Sequence, residues 1–397
     1  MRDVELSVIV PFCNEAPAVQ FTAQGLVGEL DGFCEYEILL IDNMSDDWMD
    51  CTVKNERMPL MNGNPRTFPV RQRAFFFGPK GSKREGQTIN TMFFRKGIMR
   101  YFRHDTKQGH WGAKNVGIKN ARGKFLFFVD AHTLMSPGSL RKMVAFLRDP
   151  PEEKIGGVHA YINYILDSRS LEYKPQKDKF FGYQFCTHQS EEYFVNSTGE
   201  VDVSDEIRFT TRALDQNQDV NTVHPLVKPH VHDGKVVIHP SWPKRKLRFP
   251  TKPYKVCVMS TCGMMCPRTV IDELGPWHPE FGIYCGGEGY MNFKQSTCGY
   301  HHWIHPEAIC WHWAEKRGYI WNHRDYVRNE QIAAYVCGGE RALQFCVEGR
   351  GGNDALKELA QDVRTVCREE REMIASKQVE DLEAYFDRWV ANPGVWK

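Results

Sequence analysis

Three apolar runs at the start of the chain have the length and composition of buried β-strands. They are Val4–Val10, Tyr36–Ile41 and Lys124–Val129, and helical sequence over 16–30 and 110–121 separates them. The runs are nearly continuous in apolar residues, which is typical of strands in a parallel sheet that helices cover on both faces. Because short strand-to-helix connections produce parallel pairing and right-handed crossovers, the pattern predicts an α/β fold.

Polar residues follow two of these runs directly. Asp42 comes after Tyr36–Ile41, and Asp130 comes after Lys124–Val129 with His132 two positions later. Ligands of open α/β sheets bind at the carboxyl ends of the strands, near the point where strand order reverses. The topology therefore predicts a ligand site that includes these three side chains.

The spacing of Asp130 and His132 is typical of a divalent metal site. A carboxylate and an imidazole two residues apart on extended chain can bind the same cation, which neutralises a diphosphate leaving group. This mixed ligand set favours Mn²⁺ over Mg²⁺ because imidazole is the softer ligand. The alternative is that Asp130 caps the helix predicted to begin near Pro137, with His132 as a turn residue.

Further segments carry recognisable motifs, and together they resemble one family. They are Ser7–Glu15, Glu37–Asp46, Ala113–Gly117 with Ala121–Gly123, Phe128–His132, Phe281–Glu288, and the spacing from Cys298 through Pro306 to His312. The set resembles the GT-A glycosyltransferases of family 2, and among them the polypeptide N-acetylgalactosaminyltransferases. The resemblance covers about residues 4–165 and 255–315. It implies a GT-A (Rossmann-like) fold, with a mixed, mainly parallel sheet flanked by helices.

The resemblance also implies roles for individual residues. The metal ligands would be Asp130, His132 and His312. The donor-binding residues would be Pro11, Cys13, Asp42, Asn43, Lys114, Asn115 and Asp130. We expect Mn²⁺ (or Mg²⁺) and a UDP-linked sugar donor. The family often has Asp where this chain has Asn43, and this departure bears on which nucleobase is bound.

Glu288 is the candidate catalytic carboxylate. Inverting family 2 enzymes use the Asp of a Glu-Asp pair as the general base, but here Gly289 follows Glu288. Either Glu288 is itself the base, or the enzyme retains configuration, as the N-acetylgalactosaminyltransferases do, and Glu288 positions the substrate. The Asp-x-His and Gly-Gly-Glu segments together favour retention. Hexosyl and N-acetylhexosaminyl transfer both stay open.

The predicted domain organisation follows the resemblance. A GT-A domain spans 1–320, with a nucleotide-binding half at 1–135 and an acceptor-side half at 136–320. The acceptor-side half contains an irregular insertion at about 167–250, which is longer than a routine loop. A helical extension occupies 321–397.

A basic segment inside the insertion suggests one class of acceptor. Its basic side chains alternate with Trp242, Phe249 and Tyr254, a pattern that can contact phosphates and stack on bases. A modified base in DNA is therefore one candidate acceptor, and a glycan, a protein or a small molecule are the others. The alternative is a solvated loop that folds over the donor. The basic residues are Lys244, Arg245, Lys246 and Arg248.

Composition sets the remaining bounds. The formal net charge of the 397 residues is +1, so the chain has no general attraction to nucleic acid or anionic membranes. No apolar run approaches the roughly 18 residues that a membrane-spanning helix requires. The first strand begins at Val4, which leaves no room for a signal peptide. We expect a cytoplasmic protein without membrane insertion.

Two other functions fit parts of this pattern. A nucleotidyltransferase also uses a metal at a strand end, but it would need an early Gly-rich phosphate loop, and the segment 11–15 has none. A nucleotide-sugar or nucleic-acid binding protein could use a GT-A scaffold without catalysis. The enzyme is favoured because the chain has all four of the candidate site residues Asp130, His132, Glu288 and His312.

Overall fold

A computed structural model describes the following residues of the chain: 3–13, 15, 18–43, 58–59, 65–66, 98–103, 109–165, 231–232, 235–236, 252–256, 259–283, 286–313, 323–349, 351–382 and 384–385.

The described elements follow one another along the chain in this order: β1 (Leu6–Phe12), α1 (Ala18–Leu30), β2 (Tyr36–Asp42), β3 (Met58–Pro59), β4 (Pro65–Arg66), β5 (Met99–Arg103), α2 (His110–Asn120), β6 (Phe125–Phe128), β7 (Thr133–Met135), α3 (Ser139–Arg148), β8 (Ile155–Ile165), β9 (Val231–His232), β10 (Lys235–Val236), β11 (Tyr254–Val256), β12 (Met264–Pro267), α4 (Arg268–Leu274), α5 (Gly287–Thr297), β13 (His301–Trp313), α6 (His323–Gly349), α7 (Asp354–Val366) and α8 (Arg368–Ala375).

One mixed sheet of nine strands organises the part of the chain that the structure describes. Its order is β11-β13-β8-β12-β6-β1-β2-β5, and β7 pairs with β13 beside this path. Strands β6, β1, β2 and β5 run parallel to one another, as do β8 and β13. Strand β12 is antiparallel to both of its neighbours, so it joins the two parallel sets. The predicted α/β fold with a mixed sheet is confirmed.

The three apolar runs predicted as strands become β1, β2 and β6. Every residue of β1 and β2 is buried, as expected for strands that have helices over both faces. Phe12 at the end of β1 is the register partner of Asp42 at the end of β2. Because the strands are parallel and in register, their carboxyl ends lie at the same edge of the sheet.

The buried carboxylate of Glu37 forms hydrogen bonds near the amino-terminal ends of these parallel strands. Glu37 accepts hydrogen bonds from Ser7 Oγ at 2.7 Å, Arg122 Nε at 2.9 Å and Arg100 Nη1 at 2.9 Å. Burial alone raises the pKa of Glu37, but these hydrogen bonds outweigh it and lower the pKa. Gly123 follows Arg122, and a Cβ at Gly123 would lie 2.4 Å from the Ser7 nitrogen. The turn into β6 therefore requires glycine for close backbone approach.

The C-terminal helices share the core of the sheet. Helix α6 packs against α5, and α7 and α8 pack against α6. Ile332, Ala333 and Cys337 of α6 belong to the same buried cluster as Leu126 and Phe127 of β6. The division at residue 320 stays a prediction, and the predicted helical character after it is confirmed for the described residues.

The helical extension after residue 320 is interrupted between α7 and α8. Helix α7 ends at Val366, Cys367 has φ −105° and ψ 5°, and α8 ends at Ala375. After α8 the chain turns back toward the core, where Gln378 Nε2 donates to Thr297 Oγ1 at 3.0 Å and to the Cys337 carbonyl at 2.6 Å. The break lets the segment after α8 satisfy these buried acceptors, which one straight helix would pass by.

Several sequence predictions lie outside the described residues. They are most of the insertion at 167–250 and, within it, the basic side chains Lys244, Arg245, Lys246 and Arg248. Among the helices that the structure describes, none combines the length and apolar character needed to cross a membrane.

Candidate metal and donor site

Three side chains from distant positions meet at the carboxyl edge of the sheet. Asp130 follows β6, and His132 directly precedes β7. Strand β7 pairs antiparallel with β13, with Thr133 opposite His312. This pairing brings His312 beside His132, 180 residues away along the chain.

The ligand atoms of this triad converge. His132 Nε2 lies 3.0 Å from His312 Nε2. Asp130 Oδ2 lies 3.3 Å from His312 Nε2 and 3.7 Å from His132 Nε2. Asp130 Oδ1 is buried and has no hydrogen-bond partner among the described residues. Two imidazole nitrogens and a carboxylate oxygen this close together form a donor set that suits a divalent transition metal.

The surroundings keep Asp130 ionised. Burial alone would raise the pKa of this carboxyl, but the hydrogen bond from His312 and the positive charges of His132, Lys114 and His110 outweigh burial. The pKa of Asp130 therefore lies well below its usual value. The anionic carboxylate is the protonation state that binds a cation.

Glu15 orients one of the imidazoles. Its Oε2 lies 2.6 Å from His132 Nδ1, and both side chains are largely buried. When Nδ1–H donates to this carboxylate, Nε2 carries the lone pair and faces His312 and Asp130. Glu15 ends the motif segment Ser7–Glu15, but no sequence pattern marks it as part of the site. Only the three-dimensional structure shows which imidazole it meets.

The residues expected to bind the nucleoside lie at the ends of β1 and β2. Pro11 is buried and Cys13 is half-buried just beyond β1. Asp42 is buried and accepts a hydrogen bond from the Tyr101 hydroxyl on β5. Asn43 donates its backbone N–H to the Phe12 carbonyl at 2.8 Å. These contacts hold the two strand ends together at the ligand edge.

Lys114 and Asn115 of α2 point to different partners. Lys114 is completely buried, and its Nζ lies 2.6 Å from Thr261 Oγ1 and 4.9 Å from the centroid of Trp111. Burial lowers the pKa of Lys114, and the charges of nearby acidic groups offset this only in part. The Asn115 amide donates to the Trp277 carbonyl at 2.7 Å and accepts from its N–H at 3.1 Å. Asn115 therefore fixes the Trp277 backbone.

Glu288 lies in the first turn of α5, where the helix dipole favours a carboxylate. Its Oε1 accepts a hydrogen bond from Thr261 Oγ1 at 3.2 Å. Two glycines precede it for separate reasons. Gly286 has φ 74°, and a Cβ at Gly287 would lie 2.3 Å from the Trp111 ring. The Gly-Gly-Glu segment is thus explained by a left-handed turn followed by close packing on an indole.

Comparison with known proteins confirms the predicted GT-A fold. The glycosyl transferase family 2 model matches residues 81–275. The structure of GalNAc-T7 with UDP, GalNAc and Mn²⁺ superposes with a TM-score of 0.54 and 16% identity, over 95% of this chain and 58% of that chain. This chain therefore spans little more than half the length of GalNAc-T7. No curated protein sequence matches it significantly.

Two other solved structures align over most of their length at lower scores. S. aureus TarS 1–349 in complex with UDP-GlcNAc has a TM-score of 0.43 and 10% identity, over 97% of this chain and 90% of that one. The mannosyltransferase PcManGT from Pyrobaculum calidifontis, in complex with GDP-Man and Mn²⁺, has a TM-score of 0.41 and 13% identity, over 95% and 85%.

Proposed function

We propose that this chain, which has a GT-A fold, is a metal-dependent glycosyltransferase. It moves a sugar from a UDP-linked donor to an acceptor hydroxyl and retains the configuration of the transferred sugar. The observation that carries the proposal is the convergence of Asp130, His132 and His312 at the carboxyl edge of the sheet. Ligands of α/β folds bind at this edge.

The triad fits a Mn²⁺ ion by its chemistry. Asp130 supplies an anionic oxygen, and both histidines supply Nε2 from within 3.7 Å of that oxygen. When bound, the cation supplies charge neutralisation for the departing diphosphate. Mn²⁺ and UDP are also present in the structure of GalNAc-T7, which supports this choice of metal and nucleotide.

The chain's own groups prepare the site. Glu15 holds the His132 ring in one tautomer, and Lys114 adds a buried positive charge near Asp130. Asp42 and Asn43 bind the nucleoside together with Pro11 and Cys13, because these residues end adjacent parallel strands at the ligand edge.

Glu288 acts on a substrate hydroxyl. Its position at the start of α5 and its hydrogen bond from Thr261 keep the carboxylate oriented. The residue after it is Gly289 rather than the Asp of inverting family 2 enzymes. We therefore assign Glu288 to substrate positioning. An N-acetylhexosamine is the sugar favoured by the resemblance to GalNAc-T7, which was solved with GalNAc.

The acceptor and the cellular location rest on the sequence alone. A modified DNA base stays a prediction, since Lys244, Arg245, Lys246 and Arg248 lie outside the described residues. A glycan, protein or small-molecule acceptor is compatible with the same donor site. The cytoplasmic location also stays a prediction.

The proposal is tested by donor hydrolysis without an acceptor. We expect the chain to release nucleotide from one UDP-sugar of a panel of UDP- and GDP-sugars when Mn²⁺ is present. EDTA should lower this rate at least about 100-fold, because the diphosphate then leaves without charge neutralisation. Nucleotide-sugar binding by calorimetry without turnover, even after acceptors are screened, would favour a binding protein. Absence of binding as well would contradict the proposal.

Glu15→Gln is expected to weaken Mn²⁺ binding about 10- to 100-fold, because the amide no longer holds the His132 tautomer by a charge-assisted hydrogen bond. Calorimetric titration with Mn²⁺ measures the effect directly. Glu152→Gln is a matched control, since Glu152 Oε2 also lies 2.7 Å from a histidine nitrogen, His301 Nδ1. His301 begins β13, whereas the candidate metal ligand His312 lies near the end of that strand. Equal Mn²⁺ affinity in the wild type and the Glu15 variant would contradict the orienting role.

A further inference from the structure

A buried chain of hydrogen bonds joins Lys114 to Glu288 through Thr261. Lys114 Nζ lies 2.6 Å from Thr261 Oγ1, and Thr261 Oγ1 lies 3.2 Å from Glu288 Oε1. Lys114 and Thr261 are almost completely excluded from solvent. The three residues come from α2, the segment before β12, and the start of α5. Tertiary packing alone brings them together.

The chemistry of the three groups sets the direction of this chain. An ammonium only donates hydrogen bonds, so the Thr261 oxygen accepts from Lys114. The single hydroxyl proton of Thr261 is then available for Glu288, whose ionised carboxylate only accepts. The arrangement therefore holds Glu288 Oε1 as an acceptor, with the positive charge of Lys114 behind the hydroxyl.

Neighbouring contacts fix Thr261 relative to both ends of the site. Asn292 of α5 accepts from the Met259 N–H at 2.8 Å and donates to the Glu288 carbonyl at 2.7 Å. The Gly263 N–H donates to the carbonyl of Phe128 at 2.8 Å. Phe128 ends β6, two residues before Asp130. The segment around Thr261 is thus attached both to the helix of Glu288 and to the strand that leads to the metal triad.

Lys114 makes fewer hydrogen bonds than Lys294, a second fully buried lysine of the described residues. Lys294 is also fully buried, and its Nζ has four partners: the carbonyls of Gly275 and Pro276, the Tyr290 hydroxyl and the Glu370 carboxylate. Among the described residues, Lys114 Nζ has the Thr261 hydroxyl as its one hydrogen-bond acceptor. The Lys114 ammonium, which otherwise lies over the Trp111 and Trp277 rings, is therefore anchored by its hydrogen bond to Thr261.

We propose that Thr261 is a positioning residue for Glu288. Its hydroxyl, anchored by the Lys114 ammonium, holds the Glu288 carboxylate in the orientation that accepts a hydrogen bond from a substrate hydroxyl. This inference rests on the proposed glycosyltransferase function and adds a residue that no motif marked. Thr261 does not itself contact the substrate.

A double-mutant cycle tests the role, with the donor that the wild-type chain turns over and saturating Mn²⁺. Thr261→Val keeps the shape of the side chain and removes the hydroxyl, and should lower kcat about 10- to 100-fold. The KM for the donor and the Mn²⁺ affinity should stay within about threefold of the wild type. Thr261→Ser, which restores the hydroxyl, should recover kcat to within about threefold.

The coupling to Glu288 is the decisive readout. If Thr261 acts through Glu288, adding Thr261→Val to Glu288→Gln should change kcat less than about threefold, because the carboxylate is already lost. Fully additive losses in kcat would overturn the proposal, as would a loss confined to KM. A wild-type chain that turns over no donor would instead refute the proposed function, and the positioning role with it.

Folding is controlled separately. Thr297→Val also removes a buried hydroxyl, one that donates to the Phe293 carbonyl at 2.7 Å near the far end of α5. It should lower the Tm and leave kcat unchanged. If valine at position 261 prevents folding, Thr261→Ala takes its place in the cycle, with the same expected coupling.

Discussion

Asp130→Asn is expected to lower metal-dependent turnover about 1,000-fold, which corresponds to about 4 kcal/mol of transition-state stabilisation. The substitution preserves the shape of the side chain and removes the anionic ligand from a triad whose other members are His132 and His312. A neutral amide binds a divalent ion far less tightly than a carboxylate does. Steady-state turnover with Mn²⁺ and calorimetric titration of Mn²⁺ measure the two consequences together.

A control and a pH series separate a metal role from a general loss of structure. Asp272→Asn removes a surface carboxylate that lies 3.4 Å from Arg268 and should change neither measurement. Because the pKa of Asp130 in the folded protein lies below its usual value, the ionised carboxylate stabilises the wild-type fold above about pH 4. This contribution to stability is lost as the pH falls through the lower folded pKa. The Asn variant should lose less stability in that window. If Asp130→Asn keeps the turnover and the Mn²⁺ affinity of the wild type, the metal site lies elsewhere.

Lys294→Met is expected to lower the free energy of unfolding by about 3–5 kcal/mol. The Lys294 ammonium is fully buried and lies 3.2 Å from Glu370 Oε1 of α8. It also donates to the Gly275 and Pro276 carbonyls at 2.9 and 2.6 Å. Methionine fills the space but leaves a largely buried carboxylate without its counter-ion and two carbonyls without their donor. Urea denaturation should show a lower midpoint with an unchanged m-value.

A second substitution identifies the cause. Glu370→Gln in the Lys294→Met background should recover part of the lost stability, because it removes the uncompensated charge. Lys377→Met is the matched surface control, since Lys377 Nζ donates to the Glu273 carbonyl at 2.6 Å in an exposed position. It should cost less than about 1 kcal/mol. Wild-type stability of Lys294→Met would show that the network contributes little to the fold.

The same network connects the C-terminal helices to the candidate site. Gly275 and Pro276 lead into Trp277, which stacks on Trp111 with ring centroids 5.4 Å apart. Trp277 is held by Asn115, one residue after Lys114. We therefore expect Lys294→Met to reduce donor turnover as well as stability. The described helices after residue 320 therefore pack against elements that carry residues of the candidate site.

The fold could be predicted from local sequence because its signals are local. The runs that became β1, β2 and β6 are nearly continuous in apolar residues, and this composition is explained by burial on both faces of a parallel sheet. Their observed ends differ from the predicted ends by at most two residues. The helical character of the C-terminal extension was predictable, but a charged, helix-forming composition does not reveal where the chain must turn back to the core.

Part of the candidate site could likewise be predicted from the sequence, and part could not. Asp130 and His132 are neighbours in sequence at a strand end, so their proximity was predictable from the chain itself. His312 entered only through resemblance to a family. In the structure, the antiparallel pairing of β7 with β13 brings it to His132. The metal-binding role of all three stays a proposal, with its test in Asp130→Asn.

The sequence by itself determined the alternation of strands and helices, the edge of the sheet where polar side chains collect, and the Asp-x-His segment at that edge. Only the tertiary structure decided that Glu15 meets His132, that Thr261 joins Lys114 to Glu288, and that Asn115 holds Trp277. The physical reason is the separation along the chain of the residues that interact. Strand burial follows from the apolar character of neighbouring residues, whereas a hydrogen bond across 117 or 147 residues depends on how separate elements pack.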